Sequence, residues 1–228
     1  MNLVATIVGR TILLTPAHEI APIGGVYLPS LFDAVRSRYS FQTVPNVATA
    51  QEQGLKEGYK FSIGKIRKGG RDFPIQDFVV FADGIVCTAD STEISEFFLE
   101  DLITFLVVEF DFRPITPKSR RLFYSQVSVN FEKPLSNLVT HFESLFRAIG
   151  EVQRTTYGIQ TPDGVQLHSI SLDFDKTQVP SAFSSLSPFT IERRLNKPYS
   201  ENVFFSAAPL RTQDHIKTLE KIEKALSA

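Results

Sequence analysis

Alternating apolar and polar side chains predict a series of short β-strands along this chain of 228 residues. The alternation is clear in residues 58–68, where Gly64 indicates an irregularity in the strand. Residues 73–81 and 85–89 are more continuously apolar and predict two buried strands. The remaining predicted strands are an N-terminal strand or hairpin and residues 121–132, 163–175, 188–196 and 202–207.

Apolar residues at helical spacing predict α-helices in residues 29–41, 90–110, 134–153 and 212–228. In the second helix, Asp90 followed by Glu93 predicts a capping box at the N-terminus, and Thr212 is the predicted cap of the last helix. The apolar face of the third helix consists of Leu135, Leu138, Val139, Phe142, Leu145, Phe146, Ile149 and Val152.

Glycine and proline residues indicate where the chain turns. Gly69-Gly70 and residues 162–164 predict turns, and Asp83-Gly84 predicts a hairpin with a two-residue turn in which both residues have positive φ. Residues 113–119 contain two prolines at the start of a basic run, which predicts a connector between two parts of the chain.

The order of predicted elements before this connector is repeated after it, although no residue-level repeat is visible. We predict an α+β fold of two similar β-α-β-β-(β)-α halves, with antiparallel or mixed sheets and helices packed on one face. The N-terminal half spans residues 1–112 and the C-terminal half residues 120–228. The halves form two lobes or one compact pseudo-duplicated domain.

Composition and charge exclude several classes of protein. With 24 basic and 25 acidic side chains the formal net charge is −1, so no overall field attracts nucleic acid or an anionic membrane. No segment has the roughly 20 apolar residues that span a bilayer, and the N-terminus lacks the basic region of a signal peptide. A single cysteine fits a reducing compartment, so we expect a cytoplasmic protein with no cofactor and no membrane partner.

The one cysteine, Cys87, is a candidate nucleophile because it lies shortly before a predicted helix N-terminus, which can lower the pKa of a thiol. Its apolar neighbours predict a packed strand instead. The four histidines, at positions 18, 141, 168 and 215, do not have the spacing of a helical metal-binding pair. We therefore predict no catalytic residue among them.

Two carboxylates, Asp173 and Asp175, are predicted to lie on one face of a strand, about 7 Å apart. With Glu132 as a further ligand, such oxygens could bind Mg²⁺ or Ca²⁺. The alternative function that follows is a metal-dependent hydrolase or phosphoryl-transfer enzyme. Alternating polar residues are also typical of a water-exposed sheet face.

Basic clusters lie at residues 65–71, 118–121 and 192–194. A further alternative is a nucleic-acid-binding protein that uses Lys65, Arg67, Lys68, Arg120 and Arg121. Because charged runs in loops are usually solvated, nucleic acid is an unlikely partner.

The last helix has a narrow apolar stripe formed by Ile216, Leu219, Ile222 and Leu226. Such a stripe either covers the helix's own sheet or binds a partner, including a second copy of the chain. Our first hypothesis is a non-enzymatic interaction or assembly protein, a homo-oligomer or the partner of another protein. It would use this helix and the exposed sheet surface.

Overall fold

The computed structural model describes residues 1–48, 55, 57–116, 119–158, 165–173, 175–178 and 186–226. Its strands are β1 (Asn2–Leu14), β2 (Tyr59–Lys68), β3 (Arg71–Val80), β4 (Gly84–Ala89), β5 (Arg120–Asn130), β6 (Ser169–Leu172), β7 (Phe189–Arg193) and β8 (Val203–Ala208). Its α-helices are α1 (Ala17–Ile20), α2 (Leu28–Tyr39), α3 (Thr92–Phe110), α4 (Glu143–Tyr157) and α5 (Thr212–Leu226). Short 3-10 helices span Leu135–Phe142, Lys176–Gln178 and Tyr199–Glu201.

The fold is α+β with two similar halves, as predicted. Within the described residues, the strands form an antiparallel sheet in the order β2-β3-β4-β1-β5-β8-β7-β6. Each half supplies four of these strands and its own helices, so the order of elements is the same in both halves. None of the helices in the described ranges combines the length and apolar character needed to span a bilayer.

Packing divides the chain into two compact units. The first unit contains Thr6–Gln126 and Pro209–Thr212, and the second contains Met1–Ala5, Val127–Ala208 and Gln213–Ala228. The predicted halves at 1–112 and 120–228 stay a prediction. Within the predicted connector, residues 117–118 lie outside the described residues.

The core of the first unit is built from phenylalanine rings, in agreement with the 20 phenylalanines of the chain. Phe61 of β2 stacks on Phe78 of β3, with ring centroids 4.6 Å apart. Phe32 of α2 packs edge-on against Phe61 at 5.5 Å, and Phe98 of α3 lies 5.4 Å from Phe78. These contacts place α2 and α3 against the same face of the sheet.

Turn chemistry in the first unit differs in part from the prediction. Gly69 and Gly70 both have positive φ, 56° and 80°, and join Lys68 to its partner Arg71 as a two-residue primed turn. The hairpin at Asp83-Gly84 forms, but neither residue has positive φ, so the predicted primed turn is wrong there. The chain reverses instead over residues 81–83.

The irregularity predicted near Gly64 is confirmed at its neighbour, Ile63, which has a φ of 57°. In β3 the residue opposite Ile63 is Gln76, where the register with β4 also shifts. Both strands therefore interrupt their alternation at the same level, which keeps Phe61 and Ile66 on the helix-facing side.

The predicted capping box of Asp90 and Glu93 is wrong. Helix α3 begins at Thr92, after Ser91 as N-cap, and has no side-chain cap from that residue. Its Thr92 N–H donates instead to Thr212 Oγ1 at 3.0 Å, while Thr212 N–H donates to Thr92 Oγ1 at 2.8 Å. Thr212, the predicted cap of the last helix, is instead the first residue of α5, and its hydroxyl caps α3.

The second unit has a core of aliphatic and phenylalanine side chains from β5, β7, β8 and α5, including Val129, Phe204 and Leu219. The predicted helix at 134–153 is instead a 3-10 segment followed by α4, because Val139 has non-helical angles. The strand predicted at 163–175 is shorter, Ser169–Leu172. The turn predicted at 162–164 lies outside the described residues.

Candidate interaction surface

Helix α4 carries an exposed apolar stripe. Phe142, Leu145, Ile149 and Val152 recur at helical spacing and are between 38% and 62% exposed. No residue of α4 is buried. A helix that keeps several large apolar side chains on one exposed face is typical of an interaction surface.

Charged side chains lie opposite this stripe. With about 100° between successive residues, Glu143, Arg147, Glu151 and Arg154 all lie about 140° to 180° from the centre of the stripe. All four are exposed, and their charges sum to zero.

Helix α2 occupies the corresponding position in the first half, and its apolar face is buried. Phe32, Val35 and Tyr39 are each no more than 3% exposed. The Tyr39 hydroxyl also donates a 2.7 Å hydrogen bond to Asp101 Oδ2 on α3. The two helices therefore share a place in the element order but differ in whether their apolar side chains are used by their own unit.

The predicted partner-binding stripe of the last helix packs inside its own unit. Leu219 and Leu226 are 0% and 3% exposed, and Ile216 and Ile222 pack against the same core. Intramolecular packing therefore occupies all four side chains. Partner binding through them stays a prediction.

The face of the first unit's sheet that points away from the buried rings carries a polar row. The strand registers align Ser62, Asp77, Thr88 and Arg10 across β2, β3, β4 and β1. Arg10 Nε donates to Thr88 Oγ1 at 3.3 Å, and Lys60 Nζ lies 3.5 Å from Asp77 Oδ2. Arg10 and Asp77 therefore both have partners on this part of the sheet. The use of the polar row as an interaction surface stays a prediction.

Several of the basic residues proposed for nucleic-acid binding are paired with carboxylates. Lys65 Nζ and Arg67 Nε lie 2.8 and 3.3 Å from the two oxygens of Asp72, and the Lys65 hydrogen bond lowers the pKa of that carboxyl. Lys68 lies 4.7 Å from the ring centroid of Phe97. This pairing weakens the positive potential that a polyanion would meet.

Arg121, another of these basic residues, binds two glutamates of α3. Its Nη1 lies 2.9 Å from both Glu96 Oε1 and Glu100 Oε1. Arg211 reaches the same Glu96 oxygen at 2.9 Å. Arg120, the neighbour of Arg121 on β5, is exposed. The guanidinium groups of Arg121 and Arg211 therefore anchor α3 within the first unit.

The proposed metal ligands do not form a group of three. Asp173 and Asp175 lie beyond the end of β6, where Asp173 pairs with Lys176 at 3.4 Å and Asp175 accepts hydrogen bonds from Thr177. Glu132 lies 3.7 Å from the amino group of Met1. In the described ranges, no cluster of three or more His, Cys, Asp or Glu residues could hold a metal ion.

Cys87 is fully buried in β4 between strands β1 and β3. Burial, with a smaller effect of the Asp77 carboxylate, raises its pKa well above the ordinary value. A thiol in this setting stays protonated and inaccessible, which is the opposite of what a nucleophile needs. The structure thus supports the packed-strand interpretation.

The sequence predicts the apolar face of α4 but does not predict that this face is exposed. The pattern carries no signal for exposure, because an amphipathic helix has the same periodicity whether or not another element covers its apolar face.

Comparison with known proteins gives little to add to this geometry. No protein-family model matches the chain, and no curated protein matches it in sequence. Solved structures that match include one described as Methanococcus jannaschii TBP. The two chains are 12% identical, the match covers 98% of this chain and 96% of that chain, and the TM-score is 0.42.

Proposed function

We propose that this protein is a non-enzymatic assembly protein of the cytoplasm that associates with a second copy of itself through α4. The observation that carries the proposal is the exposed apolar stripe of this helix, whose charged side chains lie on the opposite face. Burying four large apolar side chains per copy supplies the driving force for association.

A twofold axis through the contact packs the stripe of one copy against the same stripe of the other, so the interface is self-complementary. Ile149 is the least exposed of the four side chains, at 38%, and lies near the middle of the stripe.

One flank of the stripe carries small side chains, Ser144, Ala148 and Thr155. Small residues allow two helices to approach closely on that side. A membrane surface is a poorer partner, because helices that lie on membranes carry mostly Lys and Arg on the polar face. In α4 the polar face has two glutamates and two arginines.

The contact is small, since a helix of 15 residues is about 22 Å long and covers less than the roughly 800 Å² per partner of a standard interface. We therefore expect a weak dimer that dissociates on dilution. Sedimentation velocity from about 1 to 500 µM should show the sedimentation coefficient rising with concentration. Ile149→Asp should keep the protein monomeric over the whole range.

A control substitution tests whether the stripe makes the contact. Val152→Asp, on the stripe, should weaken the dimer as Ile149→Asp does. Arg147→Gln is the control, because it changes the net charge by the same amount on the far face of the helix. Circular dichroism must show that helicity is retained in each variant.

Two results would contradict the proposal. One is a wild-type protein that stays monomeric at about 500 µM, far above the range of a functional weak dimer. The other is equal weakening by Val152→Asp and Arg147→Gln, which would show that overall charge, rather than the apolar stripe of α4, controls association.

A further inference from the structure

A cavity of about 210 Å³ lies within the first unit, among α2, α3 and the helix-facing side of β2, β3 and β4. Its inner wall is formed by buried core side chains, including Phe32, Val35, Phe78, Ile85 and Leu102. Every residue around it has an apolar side chain except Tyr59, whose ring adds one hydroxyl. The cavity thus offers almost no hydrogen-bonding group to a ligand.

The size of this cavity is unusual for a protein interior. Cores are close-packed, and voids larger than a water molecule are few. About 210 Å³ is the liquid volume of roughly seven waters, but apolar walls give those waters no partners. Apolar cavities of about 150 Å³ stay dry and take up benzene, so this one can hold an apolar group of somewhat more than six carbon atoms.

One side of the cavity reaches the surface through half-buried apolar residues. Val26, Leu28 and Leu31 line it there and are partly exposed. On the loop that precedes α2, the side chains of Ile23 and Tyr27 are 95% and 73% exposed. An apolar entrance continuous with an apolar interior favours a ligand that enters from this loop.

A cation lies beside the lining of the cavity. Arg113 follows Phe112, which lines the cavity, and its guanidinium donates to the carbonyl of Ala21 at 3.0 Å and to the carbonyl of His18. Ala21 also lines the cavity. A guanidinium has five N–H donors, and the side chain of Arg113 is exposed, so donors remain for an anion.

We propose that the first unit binds a small amphiphile, with its hydrocarbon chain in the cavity and an anionic head group at Arg113. The walls select the chain by burial of apolar surface, without hydrogen bonds. The guanidinium adds a charge-assisted contact that a neutral head group cannot make. This site is separate from the α4 surface and does not depend on self-association.

Octanoate and octanol are suitable probes, because they share a chain and differ in head group. Both should raise the melting temperature and shift the methyl NMR signals of Val35 and Leu31 in a saturable way. Octanoate should bind about tenfold more tightly than octanol, and Arg113→Gln should remove that difference.

Filling the cavity provides the second test. Val35→Phe and Ala21→Leu each add volume at a different wall, so at least one should fold and should lose binding of both probes. Val108→Phe, the same change at a 70% exposed position of α3 that does not line the cavity, should bind as the wild type does. No saturable binding of octanol to the wild type, or unchanged binding in a folded cavity-filling variant, would overturn the proposal.

Discussion

Acidification should destabilise this protein through His215, which is fully buried in the first turn of α5. Its Nε2 lies 2.8 Å from Ser206 Oγ, and Ser206 donates its own hydroxyl proton to the carbonyl of Thr190 at 2.7 Å. Nε2 must therefore carry a proton and donate to Ser206. The ring also packs edge-on against Phe189 at 5.5 Å. Because burial lowers its pKa, the imidazole is neutral in the folded protein at neutral pH.

Burial lowers the pKa of His215 from 6.5 to about 4. Above pH 6.5 neither the folded nor the unfolded state binds the proton, and the group has no effect on stability. Between pH 6.5 and 4 the unfolded chain binds a proton that the folded protein does not, so stability falls as the pH falls. With these pKa values the free energy of unfolding decreases by about 2 kcal/mol between pH 7 and pH 5.

Urea denaturation at pH 7 and pH 5 measures this change. In His215→Gln a side-chain amide can still donate to Ser206 but does not titrate, so its loss between the two pH values should be about 2 kcal/mol smaller than that of the wild type. His168→Gln is the control, because it makes the same change at a histidine that is half exposed and lies 3.4 Å from Glu192. This variant should keep the loss of stability that comes from His215. The reasoning fails if His215→Gln keeps the full pH dependence of the wild type.

Two further substitutions test the packing of the first unit. Gly9→Ala should lower the free energy of unfolding by more than about 3 kcal/mol in urea denaturation, because a Cβ at Gly9 would overlap the backbone of Ser91 and Thr92. Tyr39→Phe should cost only about 1 kcal/mol, because it removes the hydrogen bond to Asp101 but keeps the buried ring.

Gly24→Ala is the control for Gly9→Ala and should leave stability nearly unchanged, since no atom lies within 4 Å of the added Cβ. In Tyr39→Phe the carboxylate of Asp101 keeps its bonds to Arg38, which limits the loss. Two results would contradict these predictions. They are a small effect of Gly9→Ala on the free energy of unfolding, and a loss above about 3 kcal/mol in Tyr39→Phe.

The order of strands and helices could be predicted from the sequence because alternation and helical periodicity are local properties. Capping could not, because the group that accepts the Thr92 N–H is Thr212, 120 positions away. The position of the strand irregularity could not be predicted either. Gly64 indicates an irregularity, but its placement at Ile63 depends on the opposing Gln76 of β3.

The candidate surface shows a different limit of sequence reasoning. The stripes of α4 and α5 have the same periodicity, yet Leu219 is fully buried and Val152 is 62% exposed. Periodicity indicates which side chains share a face, but it does not indicate whether another element covers that face. Only the tertiary contacts distinguish the two helices.

The repeated order of elements makes the contrast between α2 and α4 informative. The core of the first unit contains Phe32 and Val35 of α2, so substitutions there act on folding. Among the described residues, the core of the second unit contains no side chain of α4. Ile149 can therefore be changed with little effect on that core, and association can be tested apart from stability. The first half uses its helix to close a core, whereas the second half presents the corresponding helix to solvent.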